Sequence, residues 1–134
     1  MTISVEDLAN SIQRKLIGDS ALTDAVDDRV YTEHFYDFDN GTIEMPLVII
    51  EVDGGSSNYG RGLQRVTVIL YSYSKNSSNE AKRIYDLIYE AIHGKEIGVN
   101  NKGFGQEISR PNSGYNSDAR SYFCRGEFLF LVAG

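Results

Sequence analysis

Gln64-Arg65-Val66-Thr67-Val68-Ile69-Leu70-Tyr71-Ser72-Tyr73-Ser74, near the middle of the chain, alternates along eleven residues. Its even positions Val66, Val68 and Leu70 are aliphatic, while its odd positions run Arg65, Thr67, Ile69, Tyr71 and Tyr73. Successive side chains of a strand point to opposite faces. The spacing therefore predicts a long central strand with one face on a helix-covered core and the other only half covered. The first face explains folding, and the second needs a function.

Downstream, Ser77 or Ser78 can cap a helix over 79–93, with Ala81, Ile84, Leu87, Ile88 and Ala91 as its apolar stripe and Lys82, Arg83, Asp86 and Glu90 opposite. Tyr85, Tyr89 and Ile92 flank the stripe and read as core edge rather than ligand contacts. Gly94 closes the helix, and His93 in the last turn suits its negative end. A loop over 94–105 with an Asn100-Asn101-Lys102-Gly103 turn follows, then a short strand over 104–110 and a polar turn over 111–118. The second long strand is 120–132, where Gly126 interrupts the alternation and predicts a bulge or strong bend.

Upstream, the glycine-rich 53–62 segment invites comparison with a phosphate cradle. It has no Gly-Lys-Ser/Thr ending and leads into a strand, so no helix N-terminus faces a phosphate; it reads as a flexible connection between antiparallel strands. Pro46 precedes Leu47-Val48-Ile49-Ile50-Glu51-Val52, a run suited to a strand covered on both faces. The polar 36–45 segment carries an Asp39-Asn40-Gly41 turn. Asp37 and Asp39 do not make a calcium loop, because Gly41, Thr42 and Val48 stand where an oxygen ligand, a glycine and a glutamate are required. At the start, Ser4 caps a helix carrying Val5, Leu8, Ile12 and Leu16 up to Gly18. Asp19 or Ser20 caps a second short helix with Ala21, Leu22, Ala25 and Val26, before an extended Arg29-Val30-Tyr31. Asp24, Asp27 and Asp28 read as a solvated acidic face, since no further ligand group closes a metal site around them.

The 134 residues fit one domain, 1–134, whose folding removes roughly two-thirds of the unfolded surface from water. No apolar run approaches the ~18 residues of a membrane span, and Met1-Thr2-Ile3-Ser4-Val5-Glu6-Asp7 lacks the basic and apolar regions of a signal peptide. A lone Cys124 excludes an intrachain disulfide framework and reads as a small buried hydrophobe. With net charge −6 and scattered basic residues, the chain is not built to hold nucleic acid; DNA should slide past it. His34 and His93 stand alone, and no nucleophile–base pair, metal cluster or cofactor fingerprint is present in the sequence. The expectation is an assembly protein with no enzymatic activity, cofactor or metal. Its expected fold is α+β, a mostly antiparallel sheet with helices on one face, in the order α-α-β-β-β-α-β-β.

Leu16-Ile17-Gly18-Asp19 ending the first helix, Ala21-Leu22, Asp28-Arg29-Val30-Tyr31, Pro46-Leu47-Val48 opening a strand, Gln64-Val66-Val68 with Tyr71-Ser72, the Ala81-to-Ile92 helix and a final strand together carry a likeness. Over nearly its whole length the chain resembles the tail terminator proteins, which complete tails and join them to heads in long-tailed bacteriophages and prophages. The motifs are hydrophobic positions and lengths, and the family's usual glycine before Arg29-Val30-Tyr31 is here Asp28. The resemblance implies a ring, typically of six copies, that caps a finished tail tube, stops its polymerisation and offers a docking surface to the head connector. The implied partners are further copies of the chain, the tail tube protein and the connector or neck protein, with genomic DNA passing through unbound and no membrane. The implied location is the head-proximal end of the virion tail, after assembly in the host cytoplasm.

A ring joins two different patches of each subunit. Thr67, Ile69, Tyr71 and Tyr73 on the odd face of the central strand are the expected contact, with Tyr59 and Arg61 of the glycine-rich loop and Phe104 beside them. The competing readings are another neck or tube component, a cytosolic protein-binding module, and a small hydrolase or nuclease, which would need clustered acids or a histidine pair.

Overall fold

The computed structural model describes residues 5–32, 44–56, 63–95, 104–109, 111–117 and 120–133. Along the chain run α1 (Val5–Ile17), α2 (Ser20–Val26), β1 (Val30–Tyr31), β2 (Leu47–Ser56), β3 (Leu63–Ser74), α3 (Ser78–Ile92), β4 (Phe104–Glu107), β5 (Asn112–Asn116) and β6 (Ser121–Ala133). This is the expected α+β order with one addition: β5 occupies the stretch read as a polar turn.

The strands form a mixed sheet in the order β1-β2-β3-β6, with β4 and β5 sharing the outer edge of β6. Among the described strands only β1 runs parallel to its neighbour, pairing Val30 with Val48. The central strand is β3, and β6 pairs with it without a break from Leu63↔Ala133 to Ser74↔Tyr122.

Local chemistry sets the helix starts. Asp19 Oδ1 accepts from the Leu22 backbone N–H at 3.0 Å and caps α2. Ser77 Oγ accepts from the Glu80 N–H at 3.0 Å, which settles the start of α3 on Ser77 rather than Ser78. Ser74 Oγ braces the same turn, donating to Glu80 Oε1 at 2.6 Å and accepting from the Asn76 N–H at 3.0 Å. Ser4, the expected cap of α1, lies outside the described residues.

The helices cover one face of the sheet. Leu8, Ile12 and Leu16 of α1 and Ala81, Ile84, Ile88 and Ala91 of α3 meet Val66, Val68 and Leu70 of β3 and Phe128 and Phe130 of β6 in one core. Each fully buried aliphatic or phenyl side chain contributes about 1.5–3 kcal/mol relative to exposure. Tyr85, expected at the core edge, is fully inside it.

Gly126 has a different role from the expected bulge. Its pairing with Leu70 is regular, and the irregularity sits across the other edge, where Ile108 N–H donates to Glu127 O at 2.9 Å and the next pair is Asn112↔Arg125. The outer edge of β6 thus changes partner, from β4 to β5, at Gly126. The glycine is required by Tyr85, which crosses it: a Cβ there would stand 1.7 Å from the Tyr85 hydroxyl oxygen and 2.5 Å from Cζ. The Tyr85 hydroxyl donates to Glu107 Oε2 at 2.5 Å, and burial, then the bond to Glu107, raises its pKa strongly. Phenol and carboxylate so join α3 to β4.

His93 adds to that joint. It ends α3, stacks on Tyr89 with ring centroids 4.4 Å apart, and accepts the Glu107 N–H on Nδ1 at 3.2 Å. Gly94, at φ 71°, donates to Gly105 O at 2.7 Å.

A second correction concerns 53–62. Residues 53–56 belong to β2, which continues past a register shift between Val52 and Gly54. A bulge there lets the strand keep pairing while its sequence turns glycine-rich. Residues 57–62 lie outside the described residues.

Candidate functional site

Strand register decides what shares the face away from the helices. Directly paired residues point the same way, so three cross-sheet rows follow: Leu47–Tyr73–Phe123, Ile49–Tyr71–Arg125 and Glu51–Ile69–Glu127. Beyond the β2 bulge the face continues through Thr67, paired with Leu129, and Arg65.

The face is graded along the strands. At one end Leu47, Ile49 and Tyr73 form a small second core, with Tyr31, Met45, Tyr71 and Phe123 against it. Tyr73 stacks on Tyr71 with centroids 5.9 Å apart and meets Phe123 at 6.3 Å. Only 3% of Tyr73 and 7% of Ile69 are exposed, so neither offers much surface to a partner. Toward the middle the face becomes polar and half-buried. The Tyr71 hydroxyl donates to Glu51 Oε2 at 2.9 Å, the Arg125 guanidinium lies 5.6 Å above the Tyr71 ring, and Arg125 also pairs with Glu127 at 3.4 Å. At the far end Thr67 is half-buried and Arg65 exposed.

The electrostatics keep this face neutral in its phenols. Burial raises the Tyr71 pKa well above the ordinary tyrosine value, with the hydrogen bond to Glu51 and its charge acting in the same sense. Burial pushes Tyr73 up to about 12, against a bond to Asn116 that lowers it. Both side chains are therefore hydrogen-bonding phenols, not bases or nucleophiles, at any physiological pH. Cys124, on the core side, is buried, and burial raises its thiol to about 11, which leaves it an unreactive hydrophobe.

Of the residues singled out from sequence, Thr67, Ile69, Tyr71 and Tyr73 do share one face of β3. Phe104 opens β4, its backbone paired with Leu131 of β6. Tyr59, Arg61, His34, Asp37 and Asp39 lie outside the described residues. Glu51, Phe123, Arg125 and Glu127 belong to the face and were not singled out. The alternation of Phe123, Arg125 and Glu127 about Gly126 was a usable signal for β6, but matching it to β3 and to Glu51 of β2 requires the register.

Two short motifs far apart in sequence also meet. Arg29 Nε donates to Pro46 O at 2.9 Å, and the Val48 N–H donates to Arg29 O at 2.9 Å. Arg29 therefore seats β1 on the start of β2, with Asp27 and Glu44 as its ion-pair partners.

Among the described residues no group of His, Cys, Asp and Glu side chains is arranged to hold a metal ion, and no helix is long and apolar enough to cross a membrane.

No known family's sequence profile and no curated protein sequence matches the chain. Its fold does have a solved counterpart. A chain from the structure described as "Virion of native gene transfer agent (GTA) particle" is similar with a TM-score of 0.74 and 15% sequence identity, over 95% of this chain and 95% of that one. At that identity the likeness is one of fold.

Proposed function

We propose that this chain is a structural protein of a phage-type virion and, within it, a tail terminator. It caps the completed tail tube as a ring of six copies, stops tube growth and joins tail to head connector. The observation that carries this reading is the near-complete fold likeness to a chain of a gene transfer agent virion. The likeness covers both chains almost from end to end, so the whole domain, rather than a borrowed motif, has a counterpart in a particle of that kind. The sequence resemblance to tail terminators supplies the position within the particle.

The surface chemistry supports the same reading. The sheet face away from the helices offers half-buried polar and aromatic groups around Tyr71 and Arg125, the mixture found at subunit interfaces. Net charge −6 suits a lumen through which DNA passes without being held. On this reading the protein performs no chemistry and needs no cofactor.

Purified protein added to tail tubes should be seen by electron microscopy at one end only. Decoration along the whole length would move the assignment to a tube component. Lysates lacking the gene should hold filled heads beside unjoined tails of abnormal length, and normal virions there would remove the proposal. Tyr71→Glu, which places a second carboxylate beside Glu51, should abolish ring formation while the monomer still folds.

A further inference from the structure

A hollow of about 320 Å³ opens between the ends of α1 and α3, lined by Arg14, Lys15, Gly18, Asp19, Ala91 and Lys95. Arg14 and Lys15 stand in the last turn of α1, and Lys95 follows α3. Cations at helix C-termini offset the negative end of the macrodipole, which accounts for each one separately. It does not account for their arrangement. Three cations, two from the last turn of α1 and one just after α3, line one concavity in a chain that carries 19 acidic and 13 basic residues.

None of the three forms an ion pair with a carboxylate among the described residues, in contrast to Arg29, Arg83 and Arg125. Arg14 only donates to Ser11 Oγ at 3.4 Å, and Lys95 only to the Glu90 carbonyl at 2.6 Å. Asp19, the one acid in the hollow, is turned to the start of α2, where its Oδ1 accepts from Leu22. The lining of the hollow thus carries a net positive charge, three cations to the one carboxylate of Asp19, and spare N–H donors, including a guanidinium able to grip a carboxylate through two parallel hydrogen bonds.

The chain carries the complement at the other end of α2. Asp24, Asp27 and Asp28 are exposed there; Asp27 is taken by Arg29, while Asp24 and Asp28 have no ion pair among the described residues. The seven residues of α2 separate the basic hollow from this acidic corner by about 10 Å. The basic hollow, built from α1 and the residue after α3, lies before the start of α2, and the acidic corner lies at its finish. A ring contact between identical subunits joins two unlike patches.

We propose that the Arg14–Lys15–Lys95 hollow receives the Asp24–Asp28 corner of a second copy of this chain. The inference rests on the ring reading and names the charge contact that sets its direction.

Charge reversal tests it. Ring formation is followed by mass photometry in solution and by end-capping of tail tubes, with circular dichroism checking that each variant folds. Arg14→Glu with Lys15→Glu, and separately Asp24→Lys with Asp28→Lys, should each raise the protein concentration for half-assembly by about tenfold or more, because like charges then face each other. The four changes together should return it close to the wild-type value. A milder pair, Arg14→Gln with Lys15→Gln, should fall between, and raising salt should weaken only proteins that retain opposite charges. Wild-type rings alongside undiminished rings from either reversed pair would overturn this contact and leave the ring reading intact. The contact is equally overturned if the variant carrying all four changes assembles no better than its parents. A wild type that neither forms rings nor caps tubes would sink the ring reading itself.

Discussion

The two faces of the central sheet are built from the same residues of β2, β3 and β6 taken alternately, and they have opposite characters. The helix-covered face is closed and almost entirely apolar, with Val66, Val68, Leu70, Phe128 and Phe130 buried under α1 and α3. The other face is graded, closed around Tyr73 and Leu47, then polar around Tyr71 and Arg125, then open at Arg65. The difference separates two kinds of constraint. Shape complementarity governs the first face, where a single added atom at Gly126 collides with Tyr85. Hydrogen bonding and charge govern the second, where groups are satisfied locally yet remain within reach of a partner.

Substitutions should reveal that contrast in order of size. Phe128→Ala, in the middle of the closed face, is expected to cost about 3–5 kcal/mol in urea denaturation, and a loss under about 1 kcal/mol would mean that this face is far less tightly filled than its burial indicates. Gly126→Ala should cost about 3 kcal/mol by overpacking, and Tyr85→Leu placed in the same chain should recover part of the loss. If the two changes are simply additive, Tyr85 is not what excludes a side chain at 126.

On the graded face, Tyr73→Ala should cost about 2–4 kcal/mol, and Tyr71→Ala roughly half as much because Tyr71 is only half-buried. Equal losses would erase the gradient along the strand. Ionisation provides a further probe. Tyr73 is raised in the folded state to about 12 from an ordinary 10.0, so its contribution is fully present below pH ~10 and is lost as pH rises toward 12, where the unfolded chain ionises first. Tyr71 and Tyr85 are raised as well and act in the same direction. The denaturation midpoint should therefore fall between about pH 10 and 12, and Tyr73→Phe should make the fall shallower. The smallest effect belongs to Ser77→Ala, about 1 kcal/mol from the lost cap of α3, with no change in assembly.

Much of this was legible in the residue order. The even positions of 64–74 and the stripe from Ala81 to Ala91 follow local periodicity, which a sequence displays directly, while the caps were legible to within one residue, as Asp19 or Ser20 and Ser77 or Ser78, and the hydrogen bonds fix them on Asp19 and Ser77. The β5 strand was not legible, because Asn-Ser-Gly-Tyr-Asn has turn-forming chemistry and becomes a strand only by lying along the edge of β6. The continuation of β2 through Gly54 and Gly55 escaped for the same reason.

The candidate surface divides in the same way. Alternation is a property of one strand, so the residue order is enough to give β3 a second face with Thr67, Ile69, Tyr71 and Tyr73 on it. Which of them are covered, which charges join them from β2 and β6, and the gathering of Arg14, Lys15 and Lys95 around one hollow are set by the folded chain. Those facts depend on register and helix packing, which bring together residues far apart in sequence, and such distances are set by the whole core rather than by any local pattern.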